Sequence, residues 1–499
     1  VDGRACIPGC WPSARRPSGW CDAATGLTSV PFNSFGFLLG FLPLVLCGCA
    51  VFSRLGASWV KSWLIAASVA FYAAGAPAFL PLLIASVAGN FLFLRLMHTS
   101  RSAQRWAVIG VALNLAVLGW FKYLTPAAFP PLGLSFFTFT QIGCLLHHAD
   151  GTQKPPRLRD YALFAAFFPA LLAGPILNPR DMLPQFARTG PWRLTTDNLA
   201  VGSGFFVIGL LKKALLADPL ASVVAAGFAD PSHLTLFPAW QAALSYSLML
   251  YFDFSGYSDM AIGLGWMVGL RLPDNFDRPY QAASVIAYWQ RWHMSLTRFL
   301  MSNVHAPLTL AVMRWRRRHA RPIDSAAQQT ACGFLTMIAL PLGTTMMLVA
   351  LWHGATLPFL LFGLLHAAFL TINHAWRLAR APALPHLPSV ALTYLCVLTG
   401  AVLFRAATVT DAVSMLAGMA GQHGADPVWP GTGSATEAGW LLALYAIVWF
   451  APTTRQWLCG QASAFAWAAS PRWAVVMGCA AALGLLAAGG TGEFVYFRF

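Results

Sequence analysis

The sequence predicts an all-α polytopic membrane protein, and three observations carry that prediction. Hydrophobic residues make up 58% of the 499 and charged residues only 10%, with a mean hydropathy of +0.61, whereas about a quarter of an ordinary soluble chain is charged. Apolar runs of about 20 residues, the length of a membrane-crossing helix, recur from Pro31 to Leu485 with no long polar region between them. The connections between these runs alternate in Lys and Arg content. A soluble enzyme with one anchor helix is thereby excluded, and the length describes one helical bundle instead of several soluble domains. The excess of 32 basic over 17 acidic residues, +15, is explained by basic cytoplasmic loops, and no nucleic-acid partner is expected.

Residues 1–29 hold Pro, Gly, Arg and the cysteines Cys6, Cys10 and Cys21, but no apolar run that could form a signal-peptide core. They read as a non-native or disordered extension, with translation expected to start at Val30 and residues 30–499 forming a single transmembrane domain. Spans follow at 31–53, 57–75, 76–95, 104–124 and 130–148. Arg54 and Lys61, then Arg95, Arg101 and Arg105, then Lys154, Arg157 and Arg159 mark every second connection. The turn at Gly75 to Ala78 has no charge, and the one after Lys122 carries only that Lys. The positive-inside rule puts the basic loops in the cytoplasm and the N-terminus outside.

The stretch Tyr161 to Leu177 is short, contains Ala173-Gly174-Pro175, and has Arg180, Arg188 and Arg193 beyond it as well as basic residues before it. Equal charge on both flanks predicts a re-entrant segment, which protein or water must shield from lipid. Spans at 198–217 and 236–256 enclose an acidic, base-free loop with Asp218 and Asp230. From 271 to 321 the chain interleaves Arg271, Arg278, Arg291, Arg298, Arg314, Arg316, Arg317, Arg318 and Arg321 with Trp, Tyr, Phe and Leu. Such a belt predicts an amphipathic helix pair at the cytoplasmic leaflet. Spans at 331–352, 354–375, 388–408, 437–453 and 473–490 bring the expected crossings to eleven or twelve. Cys47, Cys49, Cys332, Cys396 and Cys479 fall in apolar runs and read as small buried groups. Cys144 with His147 and His148 lacks a second ligand pair, so no metal site is expected.

Ionisable residues inside a membrane are costly, which makes their positions functional hypotheses. The densest group is YFDFSGYSDMAIGLGWMVGLRLPDNFDRPYQAASVIAYWQRWHMSLTR, from 251 to 298. Asp253 and Asp259, with Tyr257 between them, read most plainly as caps for a helix starting at Met260 that pair with nearby Arg; binding of substrate is the functional alternative. Pro273 to Pro279 is a turn-rich connector in which Asn275 and Arg278 can hold loops together. Trp289, Arg291, Trp292 and His293 are expected on one helix, with Trp289 and His293 sharing a face at i, i+4.

The second group is Leu351-Trp352-His353-Gly354-Ala355 in a nearly uncharged stretch. A lone His in apolar surroundings is commonly a satisfied core residue. Against that, Gly354 is expected to leave room for a substrate, and a neutral imidazole is well suited to accept a hydroxyl proton near pH 7. His366 lies thirteen positions on, about 220° around a regular helix. It is expected to face away and to be structural.

FDFSGYSDMAIGL, LRLPDNFDRPY, YWQRWHMSLTRFL and LWHGA followed by FGLLHA resemble the membrane-bound O-acyltransferase family, in its bacterial branch of alginate O-acetylation and D-alanyl-teichoic acid transfer. PFNSFGFLLGFLPLVL, NLAVLGWFKYL, LGLSFFTFTQIG, FFPALLAGPI, GLLKKALLADPLA and VLFRAATVTDAVSML extend the resemblance in order from Val30 to about Gly421. In place of the Arg-Asp-Tyr-Leu-Tyr stretch of many members of the alginate branch, this chain has Leu300 to Leu308 and then its basic run.

The resemblance implies a helical bundle around a central tunnel, in a bacterial inner membrane, with donor arriving from the cytoplasm and acceptor from outside. It places the family's signature histidines at His293 and His353, the latter catalytic, and makes Asp253, Tyr257, Asp259, Asn275, Arg278, Trp289, Arg291, Trp292 and Trp352 candidates for substrate binding. The implied reaction is transfer of an acyl group, most simply acetyl, from an acyl-CoA or acyl carrier protein thioester. The receiving hydroxyl belongs to an exopolysaccharide such as alginate or to a periplasmic relay or transferase protein. No cofactor or metal is expected; membrane lipid, the polysaccharide and a cytoplasmic carrier protein are the implied partners. A transporter or flippase for a cell-envelope polysaccharide or lipid fits the composition equally well. The absence of a detectable inverted repeat and the histidine-centred polar set argue against it, and intact His293 and His353 argue against a catalytically dead scaffold.

Overall fold

The structure, a computed structural model, describes residues 32–125, 131–190, 192, 194–426, 435–460 and 467–487. The segment 1–29, Val30 and Arg193 lie outside the described residues. Among those described the regular structure is helical, without a strand, and the chain is an all-α polytopic membrane protein. Among the described residues, seven helices are long and apolar enough to cross a bilayer: Gly36–Ser53, Pro77–Thr99, Ala103–Leu124, Thr196–Ala229, Ala331–His353, Leu357–Leu378 and His386–Arg405. Shorter apolar helices are Leu134–His147, Val409–Met419, Ala438–Phe450 and Pro471–Ala487. The sequence reading counted most of these shorter runs as crossings. It also counted the helices Ala57–Gly75 and Leu236–Met267, which carry the buried charges Lys61 and Asp253.

The centre of the bundle is the 32-residue helix Leu236–Met267, nearly all of whose residues from Ala242 onward are buried. Its main partner is Thr196–Leu211. Two glycine pairs let the backbones touch. A Cβ built on Gly209 would lie 2.5 Å from the Gly256 carbonyl oxygen, and one on Gly202 would lie 2.7 Å from that of Gly263. Between apolar helices in lipid, such close approach replaces the hydrophobic drive that water supplies elsewhere.

The long helix corrects the expected start at Met260. Asp253 and Asp259 sit within it and cap nothing, and their partners are lysines, not arginines: Lys213 to Asp253 at 2.7 Å and Lys212 to Asp259 at 2.6 Å. Because both carboxylates are neutralised from the neighbouring helix, the apolar run has no reason to stop at 256.

The predicted re-entrant stretch is a broken helix. Leu158–Ala166 and Phe168–Leu171 are separated at Phe167, and the chain then returns in extended form to Pro179–Phe186. Phe164 and Phe167 both meet the ring of Phe186, at 6.5 and 5.8 Å, so the segment doubles back on itself. Pro169 can donate no bond, and the Phe168 N–H freed by the break donates to Ser68 Oγ at 3.1 Å. Lys61 anchors the first leg through Asp160 at 2.7 Å. Residues 160–177 are almost wholly buried, which meets the condition for irregular backbone at membrane depth.

The belt from 271 to 321 differs from a helix pair. Residues 271–284 are irregular apart from one short turn, and Val285–Trp289 is a helix of only 5 residues. Met294–Leu300, a wider turn at Met301–His305 and Ala306–Arg318 then run on as one helix. Arg316 is the buried member of the basic run, holding the Pro322 carbonyl and Thr336 Oγ1 at 2.8–3.0 Å. The cysteine expectation holds for Cys49; Cys47, Cys332 and Cys479 are exposed. An apolar membrane helix turns such residues outward as readily as inward, since lipid does not penalise them.

Candidate active site

The helix Leu340–His353 ends where the backbone straightens at Gly354, and Leu357–Leu378 begins after Thr356. His353 therefore sits on the break between two helices, 7% exposed. Its ring lies 4.4 Å from that of Trp352 and 4.7 Å from that of Phe404. The room expected beside Gly354 is occupied: a Cβ there would come within 2.7 Å of the Phe359 ring. The break also overturns the expectation for His366. With the helix interrupted at Gly354, His353 and His366 line the same cavity.

His293 is reached differently. The helix Val285–Trp289 stops, the chain turns through Gln290 to Trp292, and His293 takes a left-handed conformation, φ 43°, at the start of Met294–Leu300. Trp289 and His293 thus do not share a helix face. His293 is 1% exposed, with its ring edge-on to Phe254 at 4.7 Å. Its Nδ1 lies 3.0 Å from Asn275 Oδ1, which also accepts from Ser295 Oγ at 2.9 Å. Asn275 Nδ2 donates to Ser258 Oγ at 3.0 Å on the long helix, and Ser295 Oγ accepts from the Ile176 N–H at 3.0 Å on the return leg of the broken segment. Three remote stretches of chain thereby fix one imidazole.

Both histidines, with His366, line a cavity of about 40 Å³, walled by Tyr280, Tyr288, Trp289, Trp292, Phe362 and Phe404 among others. Trp352 is wedged between them, its ring 6.3 Å from His293. On its other side opens an apolar chamber of about 420 Å³, whose one cation, Lys122, stands 6.0 Å from the Trp352 ring. That chamber shares Leu146, Phe299 and Asn303 with a polar vestibule of about 220 Å³ carrying His147, Arg180 and Arg298. The chamber shares Leu296 and Val349 with the histidine cavity, so vestibule, chamber and histidine cavity adjoin one another in series.

Comparison with known proteins decides what such a bundle is. Residues 145–320 match the profile of MBOAT, the membrane-bound O-acyltransferase family. The chain is 32% identical over 446 residues to a peptidoglycan O-acetyltransferase of Helicobacter pylori, covering 79% of this chain and 80% of the relative. It is 35% identical to "Probable alginate O-acetylase AlgI" of Azotobacter vinelandii, over 78% of this chain and 77% of that one. A teichoic acid D-alanyltransferase of Streptococcus thermophilus is 27% identical over 49% of this chain and 57% of its own length.

The chain belongs to the membrane-bound O-acyltransferase family. As a member it is an acyltransferase, and the transporter reading falls away. Of the residues predicted for its site, His293, Trp289, Trp292 and His353 come together around one cavity, with Trp352 against both histidines. Trp289 stands edge-on to His366 at 5.2 Å. Asn275 reaches His293 through its side-chain oxygen. The others lie elsewhere. Asp259 and Arg278 line a separate polar cavity of about 250 Å³ with Lys212, Asp274 and Arg455; Asp253 is bound to Lys213; Tyr257 stacks on Phe32 at 4.8 Å. Arg291 supplies its backbone carbonyl to the Asp277 N–H at 3.0 Å, and it is not among the residues lining the histidine cavity. Sequence reasoning missed Ser295, Phe404 and the proximity of His366, because each depends on a helix break or on a contact between stretches far apart in the chain.

Proposed function

We propose that this membrane-bound O-acyltransferase moves an acyl group, most simply acetyl, from a cytoplasmic thioester of CoA or an acyl carrier protein across the bacterial inner membrane. The receiving hydroxyl is that of an exopolysaccharide or of a periplasmic relay protein that serves one. The observation that carries the reading is the meeting of His353 and His293 in one largely apolar cavity at a helix break, beside an apolar chamber of about 420 Å³. The basic vestibule, with Arg180 and Arg298, suits the phosphates of CoA or of a phosphopantetheine. The relatives named for alginate, peptidoglycan and teichoic acid all act on cell-envelope polymers by name.

In this reading His353 accepts the proton of the hydroxyl as its oxygen attacks the thioester carbonyl carbon. The tetrahedral intermediate collapses with cleavage of the C–S bond. The departing sulfur takes the proton back from the His353 imidazolium, leaving an ester and a thiol. His293 and Trp292 hold the reacting groups against His353, and the reaction needs no bound cofactor. The test is protein in lipid nanodiscs given acetyl-CoA or an acetylated carrier protein, with water as the slow acceptor: thiol release above that of a His353→Ala control with either donor supports the reading, and equal rates from both proteins with both donors end it.

A further inference from the structure

We infer that Asn275 is a positioning residue that sets the tautomer of His293, so that the neutral imidazole carries its proton on Nδ1 and offers Nε2 as an acceptor; its catalytic meaning rests on the acyl-transfer reading above. The bond directions follow from groups that have no choice. The backbone N–H of Ile176 only donates, so it uses a lone pair of Ser295 Oγ, 3.0 Å away. The hydroxyl proton of Ser295 then goes to Asn275 at 2.9 Å, and the Ser295 backbone N–H points to the same Asn275 atom at 3.3 Å. An atom on which a backbone N–H converges is the carbonyl oxygen and not the amide nitrogen, which fixes the orientation of this side chain. Its nitrogen is left to donate to Ser258 Oγ at 3.0 Å. A carbonyl oxygen cannot donate, so His293 Nδ1, 3.0 Å from it, must.

The consequence is chemical. A neutral His293 in this tautomer cannot give a hydrogen bond to a developing oxyanion through Nε2; it acts there only as an acceptor, toward an N–H or O–H other than the reacting hydroxyl, whose single proton goes to His353. Asn275 does not line the cavity shared by the two histidines. It borders the polar cavity of about 250 Å³ instead, and its effect on the histidine cavity is exerted through His293.

The first readout needs no substrate. With ¹⁵N-labelled histidine in nanodiscs, and the His293 signals identified by their loss in His293→Ala, the wild-type ring shows a protonated Nδ1 and a bare Nε2. Asn275→Asp, which keeps an acceptor in place, retains that pattern, and Asn275→Ala loses it. An unchanged pattern in Asn275→Ala overturns the inference. The second readout is thiol release from acetyl-CoA. Asn275→Ala lowers kcat by at least about 10-fold, the direction seen when a catalytic His is held in the wrong tautomer, with little change in KM. It costs nothing further in a His293→Ala background, whereas an additive loss there overturns the positioning role. Asn275→Asp stays active but moves the acidic limb of the rate profile to higher pH, because a carboxylate favours the imidazolium, whose Nε2 can no longer accept. A wild-type protein that shows the Asn275-dependent tautomer yet releases no thiol overturns the acyl-transfer reading and upholds the tautomer.

Discussion

Lys213 Nζ lies 2.7 Å from Asp253 Oδ1, with side-chain exposures of 5% and 1%, and the same ammonium reaches Asp218 at 2.8 Å. One cation thus serves two carboxylates, one of them on the central helix. Lys213→Met takes that cation from both. Loss of one partner of a buried pair costs about 3–5 kcal/mol, so the detergent-solubilised variant should unfold at markedly lower temperature. Adding Asp253→Leu should recover part of the loss. A Lys213→Met melting curve that overlays wild type contradicts this account.

Gly209 and Gly256 should not tolerate a methyl group, since each Cβ would lie 2.5–2.7 Å from the other glycine's carbonyl oxygen. Overpacking of this kind costs about 1–3 kcal/mol, and because either alanine already parts the helices, the double variant should cost less than the sum. Gly89, also in a helix, has nothing within 4 Å of its Cβ position. Gly89→Ala should therefore be neutral or slightly stabilising. Thermal unfolding of the four proteins side by side decides it; equal effects at Gly89 and Gly209 would remove the seam as an explanation.

His353→Ala should lower acyl transfer by about 100- to 10,000-fold, the range for loss of a general base, while its level in the membrane stays that of wild type. His353→Gln should be nearly as inactive, because an amide cannot take the proton. His366→Gln separates His366 from His353 as the candidate base: it should retain activity well above either His353 variant. If His366→Gln is the inactive one, the assignment of the base is reversed.

Sidedness is open to a direct chemical test. Ser302 lies in the basic belt expected inside; three predicted spans, 331–352, 354–375 and 388–408, separate it from Thr410, which alternation therefore puts outside, and both are exposed. In a background lacking Cys6, Cys10 and Cys21 and the cysteines exposed among the described residues, Cys47, Cys332, Cys459 and Cys479, a cysteine at Thr410 should react with a membrane-impermeant maleimide in intact cells. One at Ser302 should react only after the membrane is opened. Labelling of both from one side would break the proposed path of the acyl group across the bilayer.

Ser68→Ala should expose the weak point of the broken segment, because the Phe168 N–H would lose its acceptor in an apolar surrounding. A buried polar group left unsatisfied costs about 1–3 kcal/mol. Hydrogen exchange at Phe168 should accelerate with little change in the helix Ala57–Gly75, and unchanged exchange there would show that another group takes the bond.

The sequence by itself determined the membrane class, the place of most helices, the broken segment at 161–177 and the two histidines, because these are written in local terms: hydropathy over about 20 residues, charge at the flanks, and short blocks of residue types. What it could not determine was partnership. Asp253 and Asp259 looked like caps because their lysines lie some forty residues away in the chain; His366 looked averted because a regular helix was assumed across Gly354; the Gly209–Gly256 approach has no signature in either helix alone. The tertiary structure decided each of these, since buried charges, helix seams and the orientation of an imidazole are fixed by bonds between segments that only packing brings within reach. Asn275 shows the division most clearly: its type and place in the turn-rich stretch are legible in the chain, but its hold on His293 exists only once Ile176, Ser258 and Ser295 have closed around it.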